Sequence, residues 1–104
     1  MTIKTRQIEE SPLVQGADES IAYTVDIEEY GESPTSITLT IKDEDGTDVT
    51  ATTTTGSITT PTTTTILLKE IHSLTAGEEY RAEVKFDIAD VGTIEAFFRI
   101  IAEE

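Results

Sequence analysis

Between Tyr80 and Ile88 every second residue is apolar: Tyr80, Ala82, Val84, Phe86 and Ile88 alternate with Arg81, Glu83, Lys85 and Asp87. Successive side chains of an extended strand point to opposite faces, so this pattern suits a strand with one buried and one wet face, and no helix could bury it. The same period recurs in Ile21, Tyr23, Val25 and Ile27 and in Ile37, Leu39 and Ile41. After Asp90-Val91-Gly92 the chain returns as a strand over Thr93 to Ala102, which makes a hairpin with the run before it. The run Asp43-Glu44-Asp45-Gly46 reads as a second hairpin turn, its Gly supplying a positive φ, with a strand expected over Asp48 to Ala51. Weaker strands are expected over Ile3 to Glu9, Gly56 to Thr59 and Thr64 to Lys69.

With 104 residues there is material for one core and not two. The expected fold is therefore all-β: a single domain over residues 1–104, an antiparallel β-sandwich of about seven strands. Its core should include Tyr23, Val25, Leu39, Ile41, Leu68, Leu74, Tyr80, Val84, Phe86 and Phe98.

Charge and chemistry narrow the function. The chain has 21 Asp and Glu against 7 Lys and Arg, a net charge of -14, which opposes attraction to phosphate backbones and to anionic lipid. Neither nucleic acid nor a membrane is an expected partner. No Cys is present, so disulfides, thiolate nucleophiles and thiolate zinc sites are excluded, and a single His offers one imidazole. No apolar run approaches the roughly 20 residues of a membrane span, and the first residues lack the apolar core of a signal peptide. No cofactor is expected. A Thr- and acid-rich surface with this much like charge is eased by salt, which suits a saline or extracellular setting.

Between Thr50 and Thr65, 11 of 16 residues are Thr, broken by Gly56 and Pro61. A mucin-like stalk of this composition would sit between domains, whereas this tract is bracketed by strands. It reads instead as exposed, β-branched strand and turn, with Pro61 at an edge or bend.

The segment Leu74-Thr75-Ala76-Gly77-Glu78-Glu79-Tyr80 resembles the tyrosine corner of immunoglobulin-like and fibronectin type III domains. The resemblance implies that the Tyr80 ring packs inward while its hydroxyl bonds to nearby backbone. It extends from Ser20 to Ala102, without the core Trp and the paired Cys of antibody domains. In length and pattern the chain also resembles small Ig-like proteins encoded among the virion genes of tailed phages and prophages, through Ile21 to Ile27, Gly46 to Thr50, Gly77 to Phe86 and Gly92 to Glu104. That likeness carries no catalytic motif.

Chemical motifs are few. Asp43 to Asp48 clusters carboxylates beside Gly46, but Gly falls fourth and Thr54 stands twelfth, where a calcium-binding EF-hand loop needs Gly sixth and Glu twelfth. The loop reads as a plain turn rather than a Ca²⁺ site. His72 beside Ser73 lacks a nucleophile elbow, and strand or turn neighbours are expected to point apart. Acidic pairs are too abundant to single out a glycosidase couple, and the glycines are scattered singly, as turn residues are.

The rare cations say more. If the alternating apolar residues face inward, Lys42, Arg81, Lys85 and Arg99 share the outer face of one sheet, and Phe97 and Ile101 turn out beside them. Arg and aromatic side chains are enriched at interface centres, so these six residues are the candidate protein interface. Glu83 and Glu95 are placed to pair with the cations across strands. The expected function is a noncatalytic structural or assembly protein of a virus particle, a capsid decoration, neck or tail-associated component, located in the virion. It would bind other particle proteins or its own copies. The alternative is an extracellular or cell-surface adhesin-type module that binds carbohydrate or protein. A small enzyme is disfavoured by the lone His and the lack of a spaced catalytic set.

Overall fold

The computed structural model describes the backbone of residues 3–7 and the whole of residues 12–104. The strands are β1 (Ile3–Gln7), β2 (Leu13–Gly16), β3 (Ile21–Asp26), β4 (Thr35–Lys42), β5 (Thr54–Thr55), β6 (Thr59–Thr62), β7 (Thr65–Ile71), β8 (Glu79–Ile88) and β9 (Gly92–Glu103), with one helical turn, α1 (Thr50–Thr53). The strand expected at the N-terminus is present as β1, and its Ile8–Glu9 end lies outside the described residues.

The strands form two sheets. The first runs β1-β9-β8-β4, with β2 also on β9; the second runs β3-β7-β5, with β6 also on β7. Inward side chains from both sheets join one hydrophobic cluster, which includes Val25, Ile41, Ile66, Leu68, Phe86 and Ile100. Alternation decides this. In β8 all five of Tyr80, Ala82, Val84, Phe86 and Ile88 are buried, as are Ile94, Ala96, Phe98, Ile100 and Ala102 in β9. Nine of the ten expected core residues are buried, and the tenth, Tyr23, packs against the cluster with its ring 5.4 Å from that of Phe98.

Three expectations need correction. There are nine strand segments among the described residues rather than seven. Nor is the pairing wholly antiparallel, because β1 and β2 both run parallel to β9. The chain leaves β2 at Gly16 to cross to β3 in the other sheet, which sets the direction of β2 alongside β9. Third, the strand expected over Asp48 to Ala51 is replaced by a single Lys42–Asp48 bridge followed by α1, and the one expected over Gly56 to Thr59 begins only at Thr59, as β6. Hydroxyls bend the backbone there: Thr52 and Thr53 donate to the Val49 carbonyl and Thr54 donates to that of Thr50. Such local bonds give the chain an alternative to a sheet ladder.

Glycine is required at two turns. Gly46 has φ +82° in the hairpin after β4, where its N–H donates to the Asp43 carbonyl. Gly31 has φ +140°, and a Cβ there would stand 2.8 Å from Cγ2 of the buried Ile88. Only a residue without a side chain lets the β3–β4 loop lie this close to β8.

The Tyr80 hydroxyl accepts a 2.8 Å hydrogen bond from the Thr75 backbone N–H, while its ring is buried. The geometry expected of Leu74 to Tyr80 is thus present.

Candidate functional site

Outward positions of β4, β8 and β9 form one continuous face on the first sheet, and register fixes its rows. Lys42 lies beside Arg81, which lies beside Arg99, so three cations form one row across three strands. The next row holds Thr40, Glu83 and Phe97, and a further one Thr38, Lys85 and Glu95. On the other side of the cationic row, Glu79 faces Ile101, which faces Val14 of β2. All six candidate interface residues therefore share one face. Lys42, Arg81, Arg99 and Phe97 are contiguous, while Lys85 and Ile101 lie at opposite ends.

Two features depart from an exposed basic and aromatic patch. Phe97 is only partly exposed, because the Arg81 guanidinium carbon sits 3.8 Å from its ring centroid. Stacking of this kind covers the ring and orients the cation. The cations are also interleaved with carboxylates: Glu83 pairs with Lys42 at 3.5 Å and with Arg81 at 2.9 Å, and Glu79 with Arg99 at 3.8 Å. These side chains are 31–42 % exposed, so each pair contributes only tenths of a kcal/mol, about 0.2–1.

The charge distribution is the main electrostatic fact. The outward positions of β4, β8 and β9 hold four cations (Lys42, Arg81, Lys85, Arg99) against five carboxylates (Glu79, Glu83, Asp87, Glu95, Glu103), a net -1. The whole chain carries -14, so the remainder carries -13. This face is nearly neutral on a strongly anionic body. A shallow depression of about 660 Å³ lies across it, lined by the cationic row together with Asp43, Glu44, Glu79 and Glu83.

Sequence reasoning missed Val14. At 56 % exposure it is the most exposed large hydrophobic residue among those described, and it is the register partner of Ile101 at 37 %. Together they extend the face with an apolar pair across β2 and β9. No alternation marks β2, since its inward position after Leu13 is filled by Gln15.

The other motifs resolve locally. Asp43 Oδ1 accepts the N–H groups of Asp45 and Thr47, and Glu44 Oε1 accepts the Glu79 N–H at 2.7 Å, so these carboxylates engage backbone. Among the described residues no three His, Asp or Glu side chains converge to hold a metal. Asp48 Oδ1 accepts both the hydroxyl and the N–H of Thr50, and these two bonds hold its carboxyl below the usual carboxylate range. Thr50 Oγ1 in turn accepts the Ile41 N–H at 2.8 Å and so closes the outer edge of β4 at that point.

His72 overturns an expectation. Its Nδ1 lies 2.7 Å from the Ser73 hydroxyl and its Nε2 lies 2.6 Å from that of Thr55. Ser73 has φ +55°, and this left-handed backbone folds its side chain back onto the preceding ring, where an extended residue would point away. Both ring nitrogens are engaged by hydroxyls.

Comparison of the chain with protein-family models, with curated proteins and with solved structures finds no match. Among the described residues no helix is long and apolar enough to cross a membrane.

Proposed function

We propose that the chain is a noncatalytic protein-binding module of immunoglobulin-like type and that it docks through the outer face of β4, β8 and β9. The fold reading rests on pairing. Because β1 and β2 follow β9 in succession, and β5 and β6 follow β7, the nine segments reduce to seven strand lines. Their order, with β3 beside β7 and β4 beside β8 beside β9, together with the Tyr80–Thr75 bond, supports an immunoglobulin or fibronectin type III arrangement.

One observation carries the docking reading: a near-neutral face with an apolar pair, set on a body that carries nearly all of the charge. Two acidic surfaces repel, and approach through this face costs least. Phe97 under Arg81, and Ile101 beside Val14, supply the aromatic, Arg and aliphatic contacts that interface centres favour. Repeated on an ordered particle, a weak contact of this kind holds firmly through multivalency. The role proposed is a structural or assembly component of a virus particle, in keeping with the resemblance to tailed-phage virion proteins.

The test is co-fractionation. The chain should sediment with assembled particles from its source, and the double variant Phe97→Thr, Ile101→Ser should leave the particle fraction while still melting cooperatively. A chain that never sediments with particles, or a double variant that stays with them, would refute this reading. An adhesin-type module, the second reading, would instead be recovered from the cell surface.

A further inference from the structure

We infer that the outer face of β4, β8 and β9 is self-complementary, and that two copies of this chain pack through it about a two-fold axis crossing the strands at the level of Ile41, Ala82 and Phe98. The inference rests on the docking reading above and names the partner as a second copy.

The order of charges along β8 suits such a pairing. Its outward side chains are Glu79, Arg81, Glu83, Lys85 and Asp87, alternating in sign at a two-residue step. A two-fold axis that lies between two facing sheets and crosses their strands sets β8 antiparallel to its own copy. If the axis passes at Ala82, position 81 faces 83 and position 79 faces 85. Each Arg81 then meets the Glu83 of the other copy and each Glu79 meets its Lys85, so four opposite-charge contacts form and no like charges meet. Reversal about Ala82 makes the four charges from Glu79 to Lys85 their own complement, and Asp87 falls opposite Gly77, which lies outside β8.

The neighbouring strands satisfy the same axis. Ile41, Ala82 and Phe98 are register partners, so one line perpendicular to the strands passes all three. On β9 that line sets Phe97 opposite Arg99, a cation against an aromatic ring, and Glu95 opposite Ile101. On β4 it sets Thr40 opposite Lys42. None of these is a repulsive pair. Sheets stack about 10 Å apart, a gap that Arg, Lys, Glu and Phe side chains reach across. The two-fold contact is isologous and closes on itself, so the product is a dimer and not a filament. It also leaves the -13 borne by the rest of each chain pointing away from the contact, where solvent ions screen it.

Sedimentation velocity on the purified full chain tests this by charge exchange. The wild-type chain is expected to dimerise. Lys85→Glu sets Glu against Glu79 twice per dimer, and Glu79→Lys sets Lys against Lys85 twice, so each variant alone should self-associate at least about ten-fold more weakly. Mixed in equal amounts, the two variants regain both pairs with the correct signs and should form a heterodimer. Variants damaged only in folding would not recover on mixing, and the melting curve of each provides the independent check. A wild-type chain that stays monomeric at all soluble concentrations, single variants that dimerise undiminished, or a mixture that stays monomeric would overturn the inference. None of those outcomes touches the co-fractionation test, which alone decides whether the face docks on a particle.

Discussion

The side-chain amide of Gln15 donates a 2.7 Å hydrogen bond to the backbone carbonyl of Ile71, joining β2 of the first sheet to β7 of the second. Gln15 is fully buried, and its carboxamide is nearly saturated: Nε2 also donates to the Glu19 carbonyl, and Oε1 accepts the Tyr23 hydroxyl at 2.8 Å. Burial, with the charge of Glu19 adding to it, raises the pKa of the Tyr23 phenol and keeps it in the protonated form that this bond requires.

Replacing Gln15 by Leu keeps the volume and removes every one of these bonds. The Ile71 carbonyl and the Tyr23 hydroxyl are then left without their partner, and groups so stranded cost about 1–3 kcal/mol each when buried. The variant should lose about 2–3 kcal/mol of stability. A urea titration should show a lower midpoint with an unchanged slope.

Tyr80→Phe removes one hydroxyl and keeps the packed ring. It strands the Thr75 N–H, which should cost about 0.5–1.5 kcal/mol, the net value of an ordinary hydrogen bond. Calorimetry should find a lower Tm, and the NMR amide signal of Thr75 should exchange faster with deuterium than in the parent.

Asp48 gives the acid limb a specific contributor. Its carboxyl is held below the usual range by the two bonds from Thr50, so the charged form is favoured in the folded chain. A depressed carboxylate contributes stability that is fully present above the ordinary Asp value of about 3.9 and disappears as pH falls through the lowered value. Asp48→Asn keeps the acceptor oxygen without the charge. The stability difference between parent and variant should be constant from pH 6 to 8 and should shrink toward zero in increasingly acidic urea titrations, roughly below pH 4. A difference that grew on acidification would contradict this assignment.

Legibility in the sequence follows burial. Strands β3, β4, β8 and β9 each have one buried face, so alternation announces them and their register places all six expected interface residues on one side. The signal fails where burial and polarity part company. In β2 the buried residue is Gln15 and the exposed one is Val14, an inverted pattern that only the three hydrogen bonds of Gln15 make tolerable. Strand β6 is exposed at all four positions, so it has no inner face to read. The helical turn at Thr50–Thr53 depends on hydroxyls that choose local carbonyls, which composition alone does not disclose. On the candidate face, spacing gave the membership of the site. Its neutrality and its antisymmetric charge order emerge only once the rows are aligned.

Both β1 and β2 complete their hydrogen bonding on β9, close to ninety residues later in the chain: Leu13 pairs with Ile100 and Gly16 with Glu103. A nascent chain therefore cannot finish its first sheet until β9 has cleared the ribosome. Loop closure over so long a span is slow compared with forming the hairpin between β8 and β9. Until then Leu13 and the Gln15 amide wait without their final surroundings, and the cell must keep a half-built sheet edge from meeting others like it.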